Sequence, residues 1–194
     1  MNIGECCAEL EQQLAAAHRR IVELEKLALT DEMTGLPNRR AFNALYEAVY
    51  ASARRSFVDG CEKTYSLIAF DVDHFKLIND THGHVVGDLA LQEVARVLRQ
   101  RKRTEDAFFR TGGEEFVGVT EIPLEGAICY AERIRKLIER EVAVNYKGTV
   151  VRLTVSIGVA GWQEGDMQHD TIARADKALY LAKETGRNCV RFCT

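Results

Sequence analysis

The seven residues from Arg110 to Phe116 read R-T-G-G-E-E-F, which places two glycines and two adjacent carboxylates between apolar runs at 107–109 and 116–119. A Gly-Gly pair between β-like segments predicts a tight hairpin, because glycine accepts the positive φ that such turns require. Glycine also lets a large ligand approach the backbone closely. Two carboxylates at the tip of a hairpin repel each other unless a cation lies beside them. The segment therefore predicts a hairpin that carries a metal and phosphate site.

These residues resemble the G-G-[DE]-E-F motif of GGDEF-domain diguanylate cyclases, in its GGEEF variant. That family condenses two GTP into cyclic di-GMP, a bacterial second messenger, with Mg²⁺ or Mn²⁺. Residues 30–40, T-D-E-M-T-G-L-P-N-R-R, resemble the D-x-L-T-G-L-x-N-R-R segment that opens these domains, with Met33 where Leu is usual. From there to Phe192 the resemblance is nearly continuous. It implies an enzyme in which the 3′-oxygen of one GTP attacks the α-phosphorus of the other and pyrophosphate leaves.

Composition limits the kind of protein. The chain has 194 residues, 46% hydrophobic and 28% charged, which suits one domain with a full core. Its net charge of -3 offers no basic field for nucleic acid. We expect no membrane insertion and no signal peptide, because no run approaches ~18 apolar residues and the first residues are acidic. The six cysteines form no Cys-x-x-Cys pair. We therefore expect reduced thiols and a cytoplasmic protein.

The first 29 residues carry a heptad pattern. Apolar or small residues recur at alternating spacings of four and three: Ile3, Cys7, Leu10, Leu14, Ala17, Ile21, Leu24 and Ala28. This narrow stripe predicts a parallel coiled-coil homodimer over residues 1–29, followed by the cyclase domain over 30–194. The alternative is a single amphipathic helix that packs on its own domain. A coil would suit the chemistry that the resemblance implies, because a two-fold symmetric product requires two domains that face each other.

Periodicity along the rest of the chain predicts an α+β fold. Helices are expected at 41–57, 86–99, 125–140 and 171–184, and strands at 65–70, on both sides of the hairpin, within 150–160 and at 190–192. The order β-α-β-β-α-β within this series predicts a ferredoxin-like core. The resemblance implies the nucleotidyl-cyclase-like form of that core, with extra helices.

Two acids follow the first predicted strand. Asp71 and Asp73 are two residues apart, so on a strand they share a face. Mg²⁺ favours a few carboxylate or carbonyl oxygens, with substrate phosphates completing its shell. The alternative is that an Asp caps the next helix. By the resemblance, the metal ligands are the Asp71 carboxylate, the Val72 backbone carbonyl and Glu114, with two metal ions per active site. Glu114 is also the candidate base for the 3′-hydroxyl, and Glu115 supports the second metal or the loop.

The resemblance assigns further residues to the substrate. Lys76 (a catalytic cation), Lys183 and Arg187 offset charge on the triphosphate, and the last two belong to K-E-T-G-R-N at 183–188, similar to the family's K-x-x-G-R-N. Asn79 and Asp88 fall on guanine-binding positions, where a carboxylate accepts from N1–H and N2–H₂. Phe75 and His84, in the same segment, are also implied substrate residues. The alternatives are helix capping for Asn79 and Asp88, and core packing for His84.

A feedback site is also implied. Arg103 and Asp106 precede the hairpin at the interval of the family's R-x-x-D inhibitory site, and Arg133 matches the later Arg that completes it. The alternative is a surface ion pair. Two other functions are compatible with a domain of this kind: a silent receptor that only binds nucleotide, and a cyclase for a hybrid cyclic dinucleotide. The retained acids argue against the first, and Asp88 against the second, because adenine lacks the donors it would accept.

Overall fold

The computed structural model describes residues 3–58 and 64–194, with side chains for 11–56 and 64–194. Its helices are α1 (Ile3–Leu29), α2 (Arg39–Val58), α3 (Phe75–His82), α4 (His84–Arg101), α5 (Leu124–Glu141) and α6 (Asp170–Glu184). Its strands are β1 (Ser66–Val72), β2 (Ala107–Arg110), β3 (Glu115–Thr120), β4 (Ala143–Tyr146), β5 (Thr149–Arg152), β6 (Val155–Gly161) and β7 (Val190–Cys193).

The main sheet has the order β2-β3-β1-β6-β7. Strand β1 pairs antiparallel with both β3 and β6, whereas β7 runs parallel to β6. Strands β1, β2, β3 and β6, with the helices between them, form the predicted β-α-β-β-α-β core. Strands β4 and β5 form a separate hairpin. The ferredoxin-like α+β prediction is therefore confirmed, with β7 added at one edge.

The two faces of the sheet bury different helices. Ile68 and Phe70 of β1 lie in the larger core with α3, α4 and α5, whereas Leu67 and Ala69 lie in a second cluster with residues of α2 and α6. Because side chains alternate along a strand, Asp71 follows Ala69 onto the α6 face. The alternation thereby brings the first acid of β1 to the helix that carries Lys183.

Helix α6 lies unusually close to β6 because Gly158 has no side chain. A Cβ at this position would stand 2.2 Å from the Ala175 carbonyl oxygen and 2.3 Å from the Leu179 nitrogen. Both neighbours are backbone, so no side-chain rotation relieves the overlap. The close approach sets the height of α6 above the sheet.

We expect Gly158→Ala to destabilise the protein by about 3 kcal/mol or more, the upper end for overpacking, because helix backbone must move. Denaturant unfolding measures this loss. Gly126→Ala in α5 is the matched control, since its Cβ would meet only Ile122 atoms at 3.8 Å. Equal stability of the two variants would contradict the packing described for α6.

Helix α1 does not pack on its own domain where its side chains are described. Residues 11–29 are exposed, including Leu14 at 72%, Ile21 at 53% and Leu24 at 48%. The alternative of a helix packed on the same chain is therefore wrong for this part. The side chains of Ile3, Cys7 and Leu10 lie outside the described residues. No helix in the described ranges is both long and apolar enough to cross a bilayer.

Candidate active site

The first acid of β1 is buried beside a cation. Asp71 is 6% exposed and lies opposite Glu115 in the β1–β3 register. The Lys183 ammonium approaches its carboxylate at 2.7 Å. Burial raises the pKa of Asp71, and the contact with Lys183 opposes that rise. Helix α6 thus supplies the cation predicted from the sequence directly to the predicted metal ligand.

The hairpin brings a second carboxylate to the same place. The Val72 amide donates to the Glu114 carbonyl at 3.3 Å, which ties the hairpin to the end of β1. Partial burial, followed by the charge of Asp71, raises the pKa of Glu114. The charge of Asp71 therefore disfavours the ionised form of Glu114 at this end of the sheet.

The glycines of the hairpin serve a purpose different from the predicted one. Neither Gly112 nor Gly113 is among the glycines with positive φ, so the turn does not depend on left-handed backbone here. A Cβ on Gly112 would instead stand 2.2 Å from Oε2 of Glu115. The hairpin prediction is correct, but its reason is wrong, because Gly112 makes room for a carboxylate that folds back over the turn.

The donor set suits a hard divalent cation. Within residues 11–56 and 64–194, no group of three His, Cys, Asp or Glu side chains is arranged to hold a metal. Mg²⁺ nevertheless binds through one or two carboxylates when substrate phosphates complete its shell. Asp71 and Glu114 would provide those carboxylates, and the raised pKa of each fits a place where a positive charge is needed.

Asp73 has a different part from Asp71. It is 4% exposed, and its carboxylate accepts from the hydroxyls of Thr154 and Ser156, both at 2.6 Å. It also accepts from the backbone amide of Asn188 at 3.0 Å. The alternative of an Asp that caps the next helix is wrong for this residue, because α3 begins after His74 with no side-chain cap. Asp73 instead joins β1, β6 and the loop after α6.

A second group of predicted residues lies where α3 meets α4. The side-chain amide oxygen of Asn79, Oδ1, is buried and has no hydrogen-bond partner among the described residues. A Cβ on Gly87 would stand 2.0 Å from this oxygen and 3.2 Å from the Phe75 ring. Gly87 therefore allows α4 to approach Asn79 and Phe75. A buried acceptor without a donor is costly unless a ligand supplies one.

The remaining residues of this group are exposed. Lys76, His84 and Asp88 are all accessible at the surface of α3 and α4, so the core-packing alternative for His84 is wrong. Neither Asn79 nor Asp88 caps a helix through its side chain, since no side-chain cap is present at the start of α3 or α4. The capping alternatives are therefore wrong as well.

The predicted feedback residues form a compact cluster. The Arg103 amide donates to Asp106 at 2.9 Å, and Asp106 is 4% exposed. The Arg103 and Arg133 guanidinium groups lie 5.3 and 5.1 Å from the centroid of the Tyr130 ring. Burial raises the pKa of Tyr130, whose hydroxyl donates to the Arg101 carbonyl at 2.9 Å. The alternative of a simple surface ion pair is wrong, because Asp106 binds backbone and both arginines stack on a ring.

Sequence reasoning missed a connection between the opening loop and the hairpin. Arg110 contacts both Asp31 carboxylate oxygens, at 3.0 and 3.1 Å, and donates to the Gly113 carbonyl at 2.7 Å. Asp31 also accepts from the Thr34 amide and hydroxyl, at 2.9 and 2.6 Å. These contacts hold the pKa of Asp31 below its usual range against the effect of burial. Asp31 and Arg110 each lie in a motif that the sequence singled out, but no spacing rule joins them.

Comparison with known proteins places this arrangement in a family. The sequence profile described as diguanylate cyclase, GGDEF domain, matches residues 28–189. Diguanylate cyclase A of Treponema denticola is 38% identical over 183 residues, which cover 91% of this chain and 47% of that protein. The chain belongs to the GGDEF family.

Solved structures agree with that assignment. The coiled coil and GGDEF domain of DgcB from Caulobacter crescentus, in complex with c-di-GMP, gives a TM-score of 0.89 at 28% identity, with all of both chains covered. The active GGEEF domain of a diguanylate cyclase from Vibrio cholerae gives 0.72 at 33% identity, over 80% of this chain and 96% of that one. The chain spans about half the length of the curated relative from Treponema, or less in the case of DgcP from Pseudomonas aeruginosa, where it covers 26%.

Proposed function

We propose that this chain is a diguanylate cyclase that condenses two GTP into cyclic di-GMP and two pyrophosphates. The observation that carries the proposal is that the hairpin with Glu114 is tied to the end of β1, where the Asp71 carboxylate lies 2.7 Å from the Lys183 ammonium; the pKa of both acids is raised. A bound Mg²⁺ or Mn²⁺, two per site, would lower the pKa of the attacking 3′-hydroxyl and offset charge on the phosphates. Asp71, Glu114 and the Val72 carbonyl would hold the metal, with Glu115 beside them.

The protein's own groups then position the substrate. Lys183, Lys76 and Arg187 meet the triphosphate, which places the α-phosphorus near the metal carboxylates. Glu114, at the tip of the hairpin, accepts the proton of the 3′-hydroxyl. Its raised pKa fits this role, because a base works best when its pKa approaches the working pH.

Guanine is assigned to the junction of α3 and α4. The buried Asn79 oxygen accepts from the base, and the exposed Asp88 carboxylate accepts the paired N–H donors of guanine. Phe75 and His84, from the same two helices, are assigned to this substrate site as well. A site that hydrogen-bonds these donors rejects adenine strongly, since its acceptors would remain unpaired. The three described cysteines, Cys129, Cys189 and Cys193, are free thiols, which suits the reducing cytoplasm in which we place the reaction.

The two half-reactions require two protomers, and we assign their pairing to residues 1–29. The exposed leucines and isoleucine of α1 supply the apolar seam of a parallel coil. The coil raises the effective concentration of one cyclase domain, residues 30–194, for the other. The partners are therefore GTP, a second copy of the chain and the cyclic product, without nucleic acid or membrane insertion.

Turnover per protomer tests the proposal and the role of the coil together. For the full chain with GTP and Mg²⁺, we expect specific activity to stay constant on dilution until the coil dissociates. For residues 30–194 alone, it should fall in proportion to concentration, and by at least ~10²-fold at low concentration. Chromatography of the nucleotides provides the readout. No cyclic di-GMP from either protein would overturn the cyclase, whereas equal activity at low concentration would overturn only the coil.

Product feedback is assigned to Arg103, Asp106 and Arg133 around Tyr130. The two guanidinium groups stacked on one ring present planar cations to the phosphates and guanines of cyclic di-GMP. We expect Arg103→Ala to weaken inhibition by added product at least ~10-fold while initial rates change little. Lys102→Ala, which removes a neighbouring cation outside the cluster, should leave inhibition unchanged. Equal inhibition of Arg103→Ala and the unaltered chain would show that this cluster is not the feedback site.

A further inference from the structure

The loop that carries Arg187 has an unusual backbone. Arg187 and Asn188 have φ values of 61° and 44°, so two successive residues other than glycine are left-handed. Such a backbone conformation is strained for a residue other than glycine and persists only where its surroundings hold it. The side chain of Arg187 is exposed and its backbone amide donates to the Ala182 carbonyl at 3.0 Å, so a restraint that reaches beyond the end of α6 comes from its neighbour.

Asn188 provides that restraint through contacts on two sides. Its backbone amide donates to the Asp73 carboxylate at 3.0 Å. Its side-chain oxygen accepts from Arg135 at 2.5 Å, and its side-chain nitrogen donates to Glu139 at 2.7 Å. The residue thereby joins the end of β1 to α5 immediately after Arg187.

Arg135 is the fixed end of this connection. It is 8% exposed, although arginine is rarely buried without partners. It donates to both carboxylate oxygens of Glu132, at 2.9 and 2.8 Å, and to Glu139 at 3.0 Å. These contacts fix the plane of the guanidinium group, which leaves one donor aimed at Asn188.

We infer that Arg135 is a positioning residue for the triphosphate. It acts through Asn188, which holds Arg187 in its left-handed conformation just beyond the end of α6, the helix whose Lys183 contacts Asp71. The inference rests on the proposed function, in which Arg187 meets the triphosphate. A cation held in place before binding loses less conformational freedom when the anion arrives, and so binds it more tightly. Loss of the restraint therefore weakens binding of the phosphate chain but not of guanine.

The test compares two nucleotides on the full chain. Calorimetric titration with Mg²⁺ uses α,β-methylene GTP, whose bridging carbon prevents release of pyrophosphate, and GMP, which lacks the outer phosphates. We expect Arg135→Met to lower the affinity for the triphosphate analogue about 10-fold and the affinity for GMP less than twofold. Lys136→Met is the matched control on the same helix, because Lys136 approaches the same Glu132 at 3.5 Å but is 62% exposed. It should leave both affinities unchanged.

A second variant keeps the inference falsifiable if Arg135→Met folds poorly. Asn188→Gly tolerates positive φ and keeps the amide bond to Asp73, but it removes both side-chain contacts with α5. We expect the same selective loss of the triphosphate analogue. Equal losses for both nucleotides, or none, would overturn the positioning role.

A reference variant separates failure of this inference from failure of the proposed function. Arg187→Met should lower the affinity for the triphosphate analogue at least as much as Arg135→Met does. If the unaltered chain binds neither nucleotide, both the proposed function and the inference fail. If it binds both and Arg187→Met has no effect, the inference fails while the cyclase proposal stands.

Discussion

Replacing Glu114 with glutamine should abolish cyclic di-GMP formation while the protein becomes more stable without metal. Glutamine keeps the size of the side chain but removes the negative charge that, in the proposed mechanism, holds the metal and accepts the 3′-hydroxyl proton. The loss of one preorganised electrostatic group costs on the order of 10²–10³-fold in turnover. Chromatographic separation of the nucleotides after incubation with GTP and Mg²⁺ measures this loss.

The gain in stability follows from the raised pKa of Glu114. An acid whose pKa is higher in the folded than in the unfolded protein disfavours folding once it ionises. At neutral pH, Glu114→Gln removes that penalty; the advantage shrinks as pH falls through the raised pKa of the folded protein and is gone below the unfolded-state pKa of about 4.3. Because the group is partly exposed, the rise in the metal-free melting temperature should be only a few degrees.

Glu164→Gln, at an exposed position outside the site, is the control for a change of charge alone. It should alter neither turnover nor melting temperature. Full activity of Glu114→Gln would remove this carboxylate from the chemistry. A lower melting temperature for the metal-free variant would contradict the repulsion described between Glu114 and Asp71.

Arg110→Met is expected to have the second largest effect, although the proposed mechanism gives Arg110 no contact with substrate. Its side chain, 10% exposed, joins Asp31 of the opening loop to the Gly113 carbonyl of the hairpin. Methionine fills similar space but leaves Asp31 without its cation. A displacement of about 1 Å at the hairpin is enough to cost ~10²-fold in rate, and the lost charged hydrogen bonds cost on the order of 2 kcal/mol in stability.

Asp31→Asn weakens the attraction for Arg110 but keeps a side-chain oxygen that accepts from Thr34. It therefore separates the contact with the hairpin from the contacts within the opening loop. We expect an intermediate loss of activity, with turnover and denaturant unfolding measured on the same preparations. Wild-type turnover in Arg110→Met would show that the opening loop and the hairpin act independently. That result would contradict the structural connection between the end of α1 and the active site.

The sequence predicted the elements with strong periodicity. The long helices α2, α4, α5 and α6 and the apolar strand β1 were confirmed within a few residues, because each buries a regular stripe. Helix α3 was missed, since only Phe75 and Ile78 of its eight residues are buried. Strand β4 was missed for the same reason, having one fully buried side chain among four residues.

In the candidate site, residues in local motifs were predicted, whereas contacts between residues far apart in the sequence were not. Asp71 was singled out because it ends an apolar strand, and Glu114 because its hairpin resembles the family motif; Lys183 contacts Asp71, and the charges of both act on Glu114. The link between Asp31 and Arg110 spans 79 residues, and the one between Arg135 and Asn188 spans 53. No local pattern encodes such pairs, because they depend on how complete elements pack. The role of Gly112 was mistaken for a similar reason, since it depends on the side-chain conformation of Glu115.

The most direct test of the central claim is a product balance on the unaltered chain. Purified protein is incubated with GTP and Mg²⁺, the cyclic nucleotide is identified by mass, and pyrophosphate is counted against it. The account predicts cyclic di-GMP with two pyrophosphates for each molecule, and no cyclic product from ATP. Protein that binds GTP but releases no cyclic di-GMP, or that releases only GDP and phosphate, would contradict the claim that this edge of the sheet is a cyclase site.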